Sequence, residues 1–92
     1  MAEKDKKNHL PMEPSFLTVV MMLSGSAMGY LEAAGKKELE NKRSENLELA
    51  RFTIDLLGVL ESKTKGNLSQ EEDQVLQKSL AELRLLYVKT AE

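Results

Sequence analysis

Apolar positions are unevenly distributed along this 92-residue chain, and their longest run lies near its start. From Ser15 to Leu31 no residue carries a charge, whereas charged residues make up 30% of the whole sequence. At about 100° per residue, this segment forms a helix that is apolar on more than one side. Its predicted core face comprises Phe16, Val19, Val20, Leu23, Ala27, Tyr30, Leu31 and Ala34.

The opposite side of this helix combines small residues with methionines. Its edge consists of Thr18, Gly25 and Gly29, and it is flanked by Met21, Met22 and Met28. Glycines four residues apart remove side-chain bulk, so that a second backbone can approach closely. Each glycine costs about 1 kcal/mol of helix propensity relative to alanine, which a packing gain should offset. The spacing fits a partner chain, a neighbouring helix of the same chain, or a bend.

Two further helices are predicted, at about residues 46–64 and 70–90. The second has a wide apolar face of Leu49, Ala50, Phe52, Thr53, Leu56, Leu57, Val59 and Leu60, with Ile54 at its margin and Gly58 on the polar side. The third has a narrower face of Leu76, Leu80, Leu83, Leu86 and Tyr87. Between them, Gly66 can take a left-handed closing conformation, and a capping box runs from Ser69 to Glu72. These signals predict a tight antiparallel hairpin.

The remaining segments are polar. Residues 1–13 have little to bury and are expected to be a disordered tail, which contains the single histidine, His9. The first helix is expected over about residues 15–34, with Ser15 as its N-cap and Gly35 as its stop. The mixed charges of residues 36–44 predict a loop or a frayed helix end. A single helical domain over residues 14–92 follows.

Composition argues against several classes of function. The chain has no cysteine, which excludes disulfides and thiolate metal sites, and its net charge of −2 gives no general attraction for nucleic acid. No residue is singled out as catalytic, cofactor-binding or metal-binding, and no cofactor is expected. An enzyme is therefore not the predicted class, although a subunit without catalytic residues of its own remains an alternative.

A secretory or membrane role is a second alternative, because basic residues precede the apolar run. Acidic residues lie among the lysines, and Pro11 and Pro14 separate the basic cluster from the apolar run, which argues against a secretory signal. The uncharged run falls just short of the roughly 18–20 residues of a spanning helix, and six of its members are Ser, Thr or Gly. A soluble cytoplasmic protein is therefore expected, with a membrane-associated accessory protein as the alternative.

Three segments carry a family resemblance, namely Phe16–Ala27, Asn46–Leu60 and Lys63–Glu72. They resemble a small bacterial family of domains of unknown function, number 1844, over about residues 15–89. The resemblance implies a helical cytoplasmic protein of bacterial origin whose Ser15–Leu31 segment belongs to the mature domain. Between Ala33 and Glu45 the chain has lysines and glutamates where the family pattern implies a proline-containing connection. The family implies no activity, cofactor or catalytic residue.

Together these patterns predict an all-α, three-helix domain that assembles as a helical homo-oligomer. The reason is that two short helices cannot cover the first one, which leaves an apolar patch of about 300 Å². The predicted association surface comprises Thr18, Met21, Met22, Gly25, Met28, Gly29, Phe52 and Val59. The expected partner is a second copy, with a dimer favoured and another protein possible, whereas neither nucleic acid nor a membrane is expected.

Overall fold

Three α-helices account for most of residues 13–92, the part of the chain that the computed structural model describes. Helix α1 spans Phe16–Ala34, α2 spans Arg43–Thr64, and α3 spans Gln70–Ala91. A 3₁₀ segment, Lys37–Lys42, joins α1 to α2. Within this described range there is no strand, and the predicted all-α, three-helix class is confirmed. The predicted tail lies, apart from residue 13, outside the described residues.

The helix-start signals of the sequence are present as hydrogen bonds. The Ser15 hydroxyl oxygen accepts from the Thr18 backbone N–H at 3.2 Å and caps α1. At α3 the Ser69 hydroxyl accepts from the Glu72 N–H at 3.1 Å, and the Ser69 N–H donates to the Glu72 carboxylate at 2.8 Å. Gly66 has a φ of 85°, which lets the chain reverse within a few residues. The predicted hairpin of α2 and α3 is therefore closed by the expected residues.

The connection between α1 and α2 differs from the expected loop. Residues 37–42 form the 3₁₀ segment, and Leu39 interrupts its regular geometry with φ −114° and ψ 21°. Helix α2 then begins at Arg43, about three residues before the predicted start, and no side chain caps it. Because the capping signal is missing at this end, the sequence pattern alone could not locate the start.

The core lies where the three helices meet. It consists of Val20, Ala27, Leu31, Ala50, Ile54, Leu57, Leu76, Leu80 and Leu83. The helix–helix contact between α1 and α2 is the most extensive, and α3 contacts both. Thr53 is the buried polar residue of this region, and its hydroxyl donates to the Leu49 carbonyl at 2.8 Å. Each helix face that was predicted to be apolar therefore contributes residues to the core, but some residues of these faces are not buried.

Two placements within these faces are corrected by the packing. Val19 was expected in the core but is 44% exposed, and Ile54 was placed at a margin but is 5% exposed. Gly58 is half-buried, and a Cβ there would lie 3.6 Å from Nη2 of Arg84. Ile54 is buried because α3 packs on the side of α2 that carries Ile54 and Gly58. That contact turns the opposite side of α2 away from the core.

Arg43 connects the start of α2 to the end of α3. Its Nη2 donates to the Thr90 carbonyl at 2.6 Å, across 47 positions of sequence. A guanidinium at a helix C-terminus also interacts favourably with the helix dipole. The sequence pattern places Arg43 in a loop or a frayed helix end, and it does not indicate this long-range hydrogen bond.

Replacing Arg43 by alanine should lower the free energy of unfolding by about 1–2 kcal/mol, because a partly buried charge-assisted hydrogen bond is lost. Urea unfolding followed by circular dichroism measures the change. Lys37→Ala is the matched control, since Lys37 is exposed in the 3₁₀ segment. Equal losses in the two variants would mean that the Thr90 contact does not stabilise the fold.

Candidate association surface

The glycine edge of α1, formed by Thr18, Gly25 and Gly29, faces away from α2 and α3. A Cβ atom built on Gly25 or Gly29 would meet no heavy atom within 4 Å beyond the immediate helix backbone. Within residues 13–92, no neighbouring helix of the same chain therefore occupies the space beside these glycines. Helix α1 also continues through both positions without a break. The close approach that the glycines allow is thus not used within the described chain.

Thr18 differs from the glycines because its hydroxyl belongs to the cap of α1. Its Oγ1 lies 3.0 Å from the Ser15 hydroxyl and donates to the Glu13 carbonyl. The side chain is only partly exposed. Thr18 therefore lies at the end of the glycine edge and has a local structural role of its own.

The three methionines are exposed but do not lie on one flank. Met22 is 60% exposed, Met21 54% and Met28 40%. At about 100° per residue, Met21 and Met28 lie roughly a third of a turn around the helix from Met22. The glycine edge therefore runs between two apolar flanks. Val19, which the sequence analysis placed in the core, adds to the flank of Met22.

Helix α2 has a continuous apolar stripe on its outer side, which we call the α2 stripe. It consists of Leu49, Phe52, Leu56 and Val59, which are 40%, 61%, 36% and 52% exposed. These residues follow one another at spacings of three, four and three, the repeat of a helix that packs against another helix. Phe52 and Val59 belong to the predicted association surface, whereas Leu49 and Leu56 were left out of it. The 3–4 spacing itself was the signal that could have found them.

The chain is similar to a family model over nearly its whole length. The model described as Domain of unknown function (DUF1844) matches residues 13–89. The chain belongs to this family. The resemblance seen in the sequence is thereby confirmed, and the family description carries no activity. No curated protein and no solved structure is significantly similar to this DUF1844 chain.

Depressions on the surface of the DUF1844 domain are lined by both polar and apolar side chains. One depression, of about 690 Å³, lies at the α2–α3 turn between residues such as Glu61, Lys65, Asp73 and Gln77. A smaller one of about 190 Å³ lies between Asp55 of α2 and Val88 of α3. Over residues 13–92, no cluster of three or more His, Cys, Asp or Glu side chains could hold a metal ion. The α2 stripe and the glycine edge are therefore the more distinctive features of this surface.

Helix α1 of the DUF1844 domain is also long and apolar enough to cross a membrane. This corrects the expectation that the segment falls short of a spanning helix. Only 17% of the apolar window is buried by the rest of the fold. Core helices of soluble proteins and signal sequences share this length and composition, so the property describes α1 without assigning a location to it.

Proposed function

We propose that this DUF1844 domain is a non-enzymatic cytoplasmic protein that acts through self-association, and that its partner is a second copy of the chain. The observation that carries the proposal is the uncovered apolar area on the outer sides of α1 and α2. Soluble monomers rarely expose continuous apolar patches of several hundred Å² without a binding role. The two patches lie on α1 and α2, the two helices with the most extensive mutual contact.

The size of these two patches is consistent with a dimer. A strip about 10 Å wide and about 25 Å long on each of α1 and α2 measures on the order of 500 Å² in total. Two copies then bury about 1,000 Å², near the lower bound of specific interfaces. At about 25 cal/mol per Å² the apolar gain is at most about 25 kcal/mol, against association costs of about 4–15 kcal/mol. The α2 stripe is needed for this balance, since α1 alone would supply about half the area.

Sedimentation equilibrium without detergent tests the proposal directly. We expect a species of twice the chain mass at micromolar concentrations. A species of the chain mass at several hundred micromolar would overturn the proposal, because an interface of this area should be saturated there. Helix content by circular dichroism confirms that the sample is folded.

Leucine in place of Gly25 or Gly29 should separate folding from association. In the single chain the new side chain meets open space, and removing a helical glycine should stabilise α1 by about 0.5–1 kcal/mol. Association should weaken by about tenfold or more, because bulk on the glycine edge keeps a second backbone at a distance. Thermal unfolding and sedimentation measure the two effects on the same sample.

The control for these variants is Ala81→Leu, which adds bulk at an exposed position of α3. It should leave the dimer dissociation constant nearly unchanged. Gly58→Leu is unsuitable as a control because Arg84 is close to Gly58. If Ala81→Leu weakened the dimer as much as Gly25→Leu, the glycine edge would have no special part in association.

Membrane association is a second candidate, because the length and apolar character of α1 favour it. It predicts that the protein co-sediments with phosphatidylcholine–phosphatidylglycerol vesicles and remains a monomer without them. Self-association predicts a dimer that stays in the supernatant. The polar face that an interfacial helix needs is absent, since no lysine or arginine occurs between residues 15 and 34. We therefore place self-association first.

A further inference from the structure

The α2 stripe is bounded by opposite charges. Glu45 lies four residues before Leu49, and Lys63 lies four residues after Val59. Both side chains are exposed, and both continue the line of the stripe along the helix. The outer side of α2 is therefore acidic at its start, apolar in the middle and basic at its end.

The spacing of these six positions is the same when it is read from either end. The spacings from Glu45 to Lys63 are four, three, four, three and four, so the line is symmetric about position 54. When a second copy lies antiparallel, Leu49 faces Val59 of the partner subunit, and Phe52 faces Leu56 of the partner subunit. Glu45 then faces Lys63 of the partner subunit at both ends. In a parallel pair, by contrast, Glu45 and Lys63 would each face their own copies and repel them.

We infer that two copies pair antiparallel along α2, related by a two-fold axis near position 54, with Glu45 and Lys63 fixing orientation and register. This inference rests on the proposed function and specifies its geometry. The paired line is about 27 Å long, and the same surface serves both copies, as a two-fold interface requires. Exposed ion pairs add little affinity, but they penalise the wrong orientation and the wrong register.

Charge exchange tests the orientation. Glu45→Lys alone and Lys63→Glu alone should each weaken the dimer by roughly 5- to 30-fold, because two attractive pairs become repulsive ones. The double variant Glu45→Lys/Lys63→Glu should return to within about threefold of the original dissociation constant, since attraction is restored in reverse. Glu82→Lys and Lys78→Glu, at exposed positions of α3, are the matched controls and should have little effect. A double variant as weak as the single ones would overturn the inference.

Cysteine cross-linking gives an independent test, because the natural chain contains no cysteine. Under mild oxidation, Glu45→Cys alone and Lys63→Cys alone should stay uncross-linked. A re-equilibrated mixture of the two should form a covalent dimer. Self-cross-linking of either single variant would demonstrate a parallel pair and overturn the inference, while the proposed self-association stood.

Two other outcomes would also overturn the inference, and one of them would overturn the proposed function as well. A dimer that neither cross-links in the mixture nor responds to the charge exchanges would place the contact elsewhere and overturn the inference alone. A monomer in sedimentation equilibrium would overturn both the inference and the proposed function. Circular dichroism of each variant shows that a lost dimer is not a lost fold.

Discussion

Replacing Phe52 by aspartate is expected to convert the dimer to a monomer, with a dissociation constant about 100- to 1,000-fold higher. Phe52 is 61% exposed in the single chain and lies near the middle of the α2 stripe, where central aromatic side chains contribute most to binding. In the proposed two-fold dimer, the substitution is present on both sides of the interface and its effect is doubled. An aspartate at this position would also have to lose its water without gaining a partner. Sedimentation velocity across a concentration series measures the change.

Leu85→Asp is the matched control for this prediction. Leu85 is 58% exposed, nearly as much as Phe52, but it lies on the outer side of α3. The control should leave the dimer intact, and both variants should keep their helix content, because neither side chain is in the core. If Leu85→Asp dissociated the dimer and Phe52→Asp did not, the association surface would lie on α3.

Leu57→Ala should lower the free energy of unfolding by about 2–5 kcal/mol. Leu57 is fully buried among all three helices, so truncation removes apolar burial and leaves a cavity. For a small domain with little stability to spare, this is a large part of the total. Urea unfolding measures the loss, and it should be the same at low and at high protein concentration.

Leu56→Ala provides the comparison one position earlier. Leu56 is 36% exposed and belongs to the α2 stripe, so its truncation should mainly weaken the dimer. Its effect on unfolding should therefore appear at high protein concentration and fade on dilution, as linkage requires for a dimer. A loss of similar size in both variants at every concentration would show that Leu56 acts within the single chain only.

Local signals in the sequence were sufficient to predict the three helices and most of their ends. Ser15, Gly66 and the Ser69–Glu72 box each act within four residues of themselves, so their roles could be inferred without tertiary structure. The start of α2 was misplaced because no capping side chain marks it. The Arg43–Thr90 hydrogen bond was invisible because it joins residues 47 positions apart.

The periodicity of apolar residues could not determine which side of α2 faces the core. Apolar residues cover more than half of its circumference, so a choice between Ile54 and Leu56 for the core depends on where α3 packs. The contact of α3 near Gly58 makes that choice and leaves Leu49 and Leu56 outside. Apart from the partly exposed Thr18, the residues of the predicted association surface are exposed, but the prediction omitted Leu49 and Leu56.

The bare α2 stripe has a consequence for the protein in the cell. A newly synthesised copy that has not met another presents the kind of surface that chaperones and proteases recognise. The proposed pairing would hide that surface, so the steady-state amount of the protein should depend on its rate of synthesis more steeply than in direct proportion. Quality control would then set a minimum expression level below which the protein scarcely accumulates.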